Sequence, residues 1–94
     1  MAQRVKVILN PYSNRGGAGL GADGLRAALA GAGLAGEVVL TTKSGEAIEL
    51  ARQAKLDGYD VIAAAGGDGT VNEVVNGIAQ ATPDGEIVGP LAVL

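Results

Sequence analysis

The 94-residue chain contains no cysteine, no histidine, no tryptophan and no phenylalanine, and its only aromatic side chains are two tyrosines. Without cysteine there is neither a disulfide framework nor a thiolate metal site. Without histidine the usual zinc sites and histidine-dependent triads are excluded too. Basic residues are few: seven Lys and Arg against ten Asp and Glu leave a formal net charge of −3, with no basic run. That balance, with no interleaved aromatics, argues against nucleic acid as a partner. No apolar stretch reaches the length of a membrane span, and the N-terminus lacks the pattern of a signal peptide. A cytoplasmic enzyme domain is the expectation.

What remains is small and aliphatic. Hydrophobic residues make up 48% of the chain, so the core must be built from Ala, Val, Leu and Ile. Such a core suits a sheet covered by closely packed helices, and the length suits one small α/β domain. The 16 glycines cluster between periodic apolar segments, which signals loops of special geometry and not flexible linkers.

Val5 to Leu9 read as a first strand, followed by the Gly-rich loop Asn10 to Gly21. Leu25, Ala28, Leu29 and Ala32 form the apolar stripe of a first helix, ended by Gly31, Gly33 and Gly36. Glu37 to Thr41 is a second strand. Ser44 is placed to cap a second helix that reaches Leu56 and buries Ala47, Leu50, Ala51 and Ala54. Asp60 to Ala65 is a continuous apolar strand. Thr70 opens a third helix, in which Val71, Val74, Val75 and Ile78 hold i, i+3, i+4, i+7 spacing. Pro90 to Leu94 begin a fourth strand. The βαβαβαβ order predicts a three-layer α/β/α fold with a parallel doubly wound sheet. The chain stops on this apolar strand, so it reads as truncated after the fourth strand. The edge left there would allow a homodimer.

Two loops follow strand C-termini: NPYSNRGGAG, Asn10 to Gly19, and GGDGT, Gly66 to Thr70. Right-handed crossovers allow strand order 2-1-3-4, which would make strands 1 and 3 neighbours and send both loops to one crevice. In GGDGT, Gly66, Gly67 and Gly69 are expected to take positive φ and let backbone N–H groups approach an anion. The helix start adds its dipole and free amides. Asp68 among these donors suits a hydroxyl, a hydrated Mg²⁺ or a loop-bracing role. Thr70 and Glu73 also match a capping box, which would make them structural. Asn72 and Asn76 share the polar side of that helix. In the first loop Pro11 ends the strand, Asn10 and Ser13 offer short hydrogen bonds, and Arg15 can meet a phosphate or stay solvated. Tyr12 can stack or cover the sheet end. The hydroxyls of Thr41 and Thr42 can contact a nucleotide, Thr41 above all, or Thr42 and Ser44 can serve only to arrange the next helix.

Two GxGxxG matches, starting at Gly19 and Gly31, lack a tight strand-to-helix turn. A dinucleotide fold also wants an acid where this chain has Thr41 and Thr42. Lys43-Ser44 lacks the glycine of a Walker A loop, and Asn10-Pro11 stands where a receiver domain needs acids.

The run Ala63 to Ile78, AAAGGDGTVNEVVNGI, resembles the signature of the diacylglycerol kinase catalytic domain family. NPYSNRGGAG resembles that family's NP-x-S-G-x-x loop, and Thr41 to Ile62 also fits. The family includes bacterial lipid kinases and sphingosine and ceramide kinases, and is distantly similar to NAD kinases. The resemblance implies an ATP- and Mg²⁺-dependent kinase of phospholipid metabolism that passes the γ-phosphate to a lipid hydroxyl. It implies ATP contacts from Asn10, Pro11, Tyr12, Ser13, Asn14 and Thr41. Phosphate binding falls to Gly66, Gly67, Asp68, Gly69, Thr70, Asn72 and Glu73, with Asp68 essential as a base, a lipid contact or part of a Mg²⁺ network. Asn14 departs from the usual Gly, but Asn tolerates positive φ. A P-x-G-T-x-N-D-F segment and a second, β-rich domain with lipid site, magnesium ligands and proposed base would lie beyond Leu94. Residues 1–94 are then the nucleotide-binding domain, with no metal ligands of their own and no turnover alone. Lipid at the membrane surface would be met peripherally, through the second domain. An NAD kinase and a non-catalytic nucleotide-binding α/β module are the alternatives.

Overall fold

Strand β1, Arg4–Leu9, occupies the middle of the sheet because its branched side chains Val5, Val7 and Ile8 suit a pleat covered on both faces. The computed structural model describes residues 4–10, 22–84 and 91–93. Helix α1 spans Ala22–Gly31, β2 Ala35–Leu40, α2 Glu46–Leu56, β3 Val61–Ala65, α3 Asp68–Gln80 and β4 Leu91–Val93. The strands form one parallel sheet in the order β2-β1-β3-β4, the predicted doubly wound arrangement.

Side-chain alternation divides the core into two layers. On one face Val5, Val7, Leu9, Val38, Ala63 and Ala65 pack against Leu25 of α1. On the other, Ile8, Ile62 and Ala64 meet Ala47, Ala51 and Ala54 of α2 and Val74 and Ile78 of α3. The alanine stripe of α2 lets α3 approach closely. At the crossing stands Gly77, where an added Cβ would lie 2.8 Å from Ala51 Cβ and 3.0 Å from the Arg52 nitrogen.

Several local expectations are corrected. The stripe of α1 is narrower than its sequence spacing suggests: Leu25 is buried and Leu29 half-buried, but Ala28 and Ala32 are exposed. One helix on that face needs only its larger side chains against the sheet. Gly36 lies inside β2 instead of ending α1, because the turn is already made at Gly33, with φ 74°. Leu50 is half-buried, at the margin of the α2–α3 seam. Pro90 and Leu94, expected in the fourth strand, lie outside the described residues.

Lys6 is a cation within a central strand, and it is neutralised at the end of the sheet away from the two loops. Its ammonium lies 3.2 Å from Glu37 and 5.2 Å from the Tyr59 ring centre. The Tyr59 hydroxyl donates to the same carboxylate at 3.1 Å, and the Arg4 guanidinium stands 4.3 Å from the ring centre. These contacts hold the Glu37 carboxyl below the ordinary range, the Lys6 hydrogen bond first and that of Tyr59 second.

Candidate functional site

Parallel register makes three strand ends flush. Leu9 of β1 is paired with Leu40 of β2 and with Ala65 of β3. The next residues continue the ladder by one step: Thr41 N–H donates to the Leu9 carbonyl and Asn10 N–H to that of Ala65, both at 2.8 Å. Asn10, Thr41 and Gly66 therefore stand side by side beyond the sheet. Asn10, where the first glycine-bearing loop begins, and Gly66, in the second, thus stand at one end of the sheet, as the strand order requires.

Gly66 allows this convergence by having no side chain. A Cβ there would sit 2.6 Å from Thr70 Oγ1 and 3.2 Å from Asn10 Cβ. The positive φ expected at Gly67 and Gly69 is not found. Gly67 is extended, with φ −87°, and is the N-cap of α3, while Gly69 is helical. The capping box expected from Thr70 and Glu73 is also absent. The helix begins two residues earlier, at Asp68, so Thr70 is a buried residue of the first turn and no side chain caps the helix. The Gly67 carbonyl already accepts the Thr70 and Val71 amides, at 3.1 and 3.2 Å.

Glu73, released from capping, reaches across to the neighbouring helix. Its Oε1 accepts the Gly45 N–H at 3.1 Å. Gly45, with φ 85°, is the N-cap of α2 in place of the expected Ser44, a left-handed conformation that glycine adopts without strain. Glu46 turns back and accepts both the Thr42 N–H, at 2.8 Å, and the Thr42 hydroxyl, at 3.1 Å. Thr42 thus arranges the helix start, one of the two roles its position suggested.

A cavity of about 230 Å³ opens between these elements, lined by Asn10 and Thr41 from the strand ends, Gly69, Thr70 and Glu73 from α3, and Lys43, Ser44 and Ala47 from the loop and start of α2. A Cβ at Gly69 would meet no atom within 4 Å. The space over the first turn of α3 is therefore open, and by position that turn has amides without intrahelical partners. Among the described residues one cation and one acid, Lys43 and Glu73, line the cavity.

The diacylglycerol kinase catalytic domain model matches residues 4–94. The chain belongs to this family. It is 41% identical over 80 residues to a diacylglycerol kinase of Staphylococcus aureus (strain bovine RF122 / ET3-1), covering 85% of this chain and 25% of that protein. It is 43% identical over 75 residues to sphingoid long chain base kinase 5 of Saccharomyces cerevisiae, covering 79% and 11% respectively. A solved structure of a candidate diacylglycerol kinase from Bacillus anthracis str. Sterne superposes with TM-score 0.63 at 27% identity, over 95% of this chain and 30% of that one. The chain thus spans a quarter or less of the length of these curated relatives.

Within this diacylglycerol kinase family domain, the geometry sorts the residues singled out from sequence. Asn10, Thr41, Gly69, Thr70 and Glu73 share the cavity. Gly66, Gly67, Asp68 and Asn72 belong to the same turn and helix but do not line it, and Asp68 and Asn72 are exposed. Pro11, Tyr12, Ser13, Asn14 and Arg15 lie outside the described residues. Lys43, Ser44 and Ala47 were not among the expected ligands. For Lys43 and Ser44 the signal was their place just after the strand-end threonine, whereas Ala47 is a buried residue at the start of α2. No group of three or more acidic, His or Cys side chains lies close enough to hold a metal among the described residues, and no described helix is long and apolar enough to cross a membrane.

Proposed function

We propose that this lipid kinase family domain binds ATP in the cavity beyond β1, β2 and β3, and that the full-length protein passes the γ-phosphate to the hydroxyl of diacylglycerol or a related lipid. The observation that carries the reading is the open space over Gly69, at the first turn of α3 and beside Asn10 and Thr41. Phosphate oxygens there accept backbone N–H bonds and meet the positive end of the helix. Asn10 and Thr41 offer short polar side chains at the strand-end wall. A volume of about 230 Å³ is below the roughly 300–1,000 Å³ usual for a whole ligand, so the cavity takes part of the nucleotide.

Mg²⁺ would come bound to the phosphates of ATP. When bound it offsets phosphate charge. Asp68, exposed at the head of α3, is the carboxylate we assign to the lipid hydroxyl. Asp68 would hold that hydroxyl in place while its proton passes to a base, its oxygen bonds to the γ-phosphorus and ADP leaves. Lipid would be met at the membrane surface, by a cytoplasmic protein docking peripherally through a further domain. Transfer needs groups on both sides of the cleft, so residues 1–94 alone should not turn over.

The test is a phosphorylation assay of the full-length protein with ATP, Mg²⁺ and either diacylglycerol or NAD. Phosphorylated lipid with NAD unchanged is the expected result. Transfer to NAD alone would overturn the reading, and lipid phosphorylation by purified residues 1–94 would overturn the claim that this part is inactive.

A further inference from the structure

The segment from Thr41 to Gly45 joins β2 to α2, and carboxylates hold it from both sides. Glu46 accepts two hydrogen bonds from Thr42, and Glu73 accepts one from the Gly45 amide. Between those anchors lie Lys43 and Ser44, both lining the cavity. Glu73 is thus committed to a backbone amide across the α2–α3 seam. Lys43 is the opposite case. Lys6, Arg26 and Arg52 are paired with Glu37, Asp23 and Glu49, whereas the Lys43 ammonium has no ion pair among the described residues. A flexible cation on a braced loop stands across the cavity from the first turn of α3.

We infer that Lys43 is a phosphate-binding residue of this site and that Glu73 is a positioning residue, acting through the Gly45 amide to hold the loop that presents Lys43. The inference rests on the nucleotide reading above, and it assigns Glu73 a role other than direct contact with ATP. The chemistry requires a second positive group. The helix end supplies a partial charge that is effective only within its first turn, whereas a triphosphate carries several negative charges. A lysine on the facing wall meets oxygens that the helix does not reach, through charge-assisted bonds. Glu73 in direct contact with phosphate would be repelled. Turned to Gly45, its carboxylate accepts an N–H donor at the start of α2 instead of facing a phosphate.

The experiment measures binding of ATP and of adenosine to the full-length protein by calorimetry, at low and high salt, with thermal melts alongside. Lys43→Gln should weaken ATP binding about tenfold or more, the usual loss for one charge-assisted bond, while adenosine binding holds. Its ATP affinity should also depend less on salt than that of wild type. Glu73→Ala should lose ATP affinity in the same phosphate-dependent way. Glu73→Gln, which keeps an acceptor for Gly45, should restore most of it. The Lys43→Gln/Glu73→Ala double variant should be no weaker than Lys43→Gln alone, because the two residues act in series. Equal ATP affinity of Lys43→Gln and wild type would sink the inference while leaving the site intact. Glu73→Gln as weak as Glu73→Ala would show that the carboxylate charge itself meets the ligand, and would overturn the positioning role. A wild type that binds adenosine and ATP equally well, or neither, would remove the nucleotide reading and this inference with it. If Glu73→Ala melts too low to assay, Lys43→Gln decides alone, since an exposed loop lysine is not needed for folding.

Discussion

Replacing Gly77 with alanine tests whether α2 and α3 meet as closely as the packing indicates. In an unencumbered helix the change would be favourable, by about 1 kcal/mol of intrinsic propensity. Here the new methyl would stand 2.8 Å from Ala51 Cβ and 3.0 Å from the Arg52 nitrogen, and closer still to the Ile48 carbonyl oxygen. Ordinary carbon contacts are about 3.5–4.0 Å, so α3 must withdraw by about 1 Å. Two of the three obstacles are backbone and cannot swing aside. Overpacking of this kind costs about 1–3 kcal/mol, and rigid obstacles put this site at the upper end. After the propensity gain, a net loss of about 2 kcal/mol remains, which lowers the melting midpoint by about 8–16 °C in a domain of this size. Thermal unfolding followed by circular dichroism reads it. Gly31→Ala is the control: the last residue of α1 has no atom within 4 Å of an added Cβ, so its midpoint should hold or rise slightly. A Gly77→Ala protein melting at or above wild type would refute the packing argument.

Gly69→Ala should separate stability from binding. With open space around it the helix gains up to about 1 kcal/mol, while the methyl enters the cavity and weakens ATP binding; a variant with both properties unchanged would count against the site. Gly66→Ala should be destabilising, because its methyl would collide with Thr70 and Asn10 and push the β3–α3 turn away from β1. A normal melt would show that turn to be slack. Glu37→Gln tests the cluster at the other end of the sheet. The folded-state pKa of Glu37 is depressed by Lys6 and Tyr59, so its stabilisation is full above the unfolded value of about 4.3 and disappears as pH falls through the folded one. The wild-type advantage in urea midpoint at pH 7 should therefore shrink toward pH 3, and an advantage that persists there would contradict the assignment.

Element order, strand order and the shared crevice were legible because they depend on local information. Period-2 and period-3.6 runs locate strands and helices, and right-handed crossovers allow the strand order that the structure shows. Asn10 and Thr41 could be placed at one cavity because each directly follows a strand end, and Gly69 because it opens the helix after β3. The helix caps were less legible. Thr70-x-x-Glu73 satisfies a sequence pattern, yet the helix starts at Asp68 and Glu73 serves an amide on another helix.

The sequence by itself determined where the strands and helices lie and that the glycine turns follow strand C-termini, because apolar spacing and turn chemistry act along the chain. Only the tertiary structure decided what Gly66, Gly77, Lys6 and Glu73 do. A glycine's role depends on the atoms facing its missing Cβ, and a charged side chain's role depends on the partner within about 3 Å. For Gly77, Lys6 and Glu73 those neighbours come from distant parts of the chain, and for Gly66 the more distant of them is Asn10.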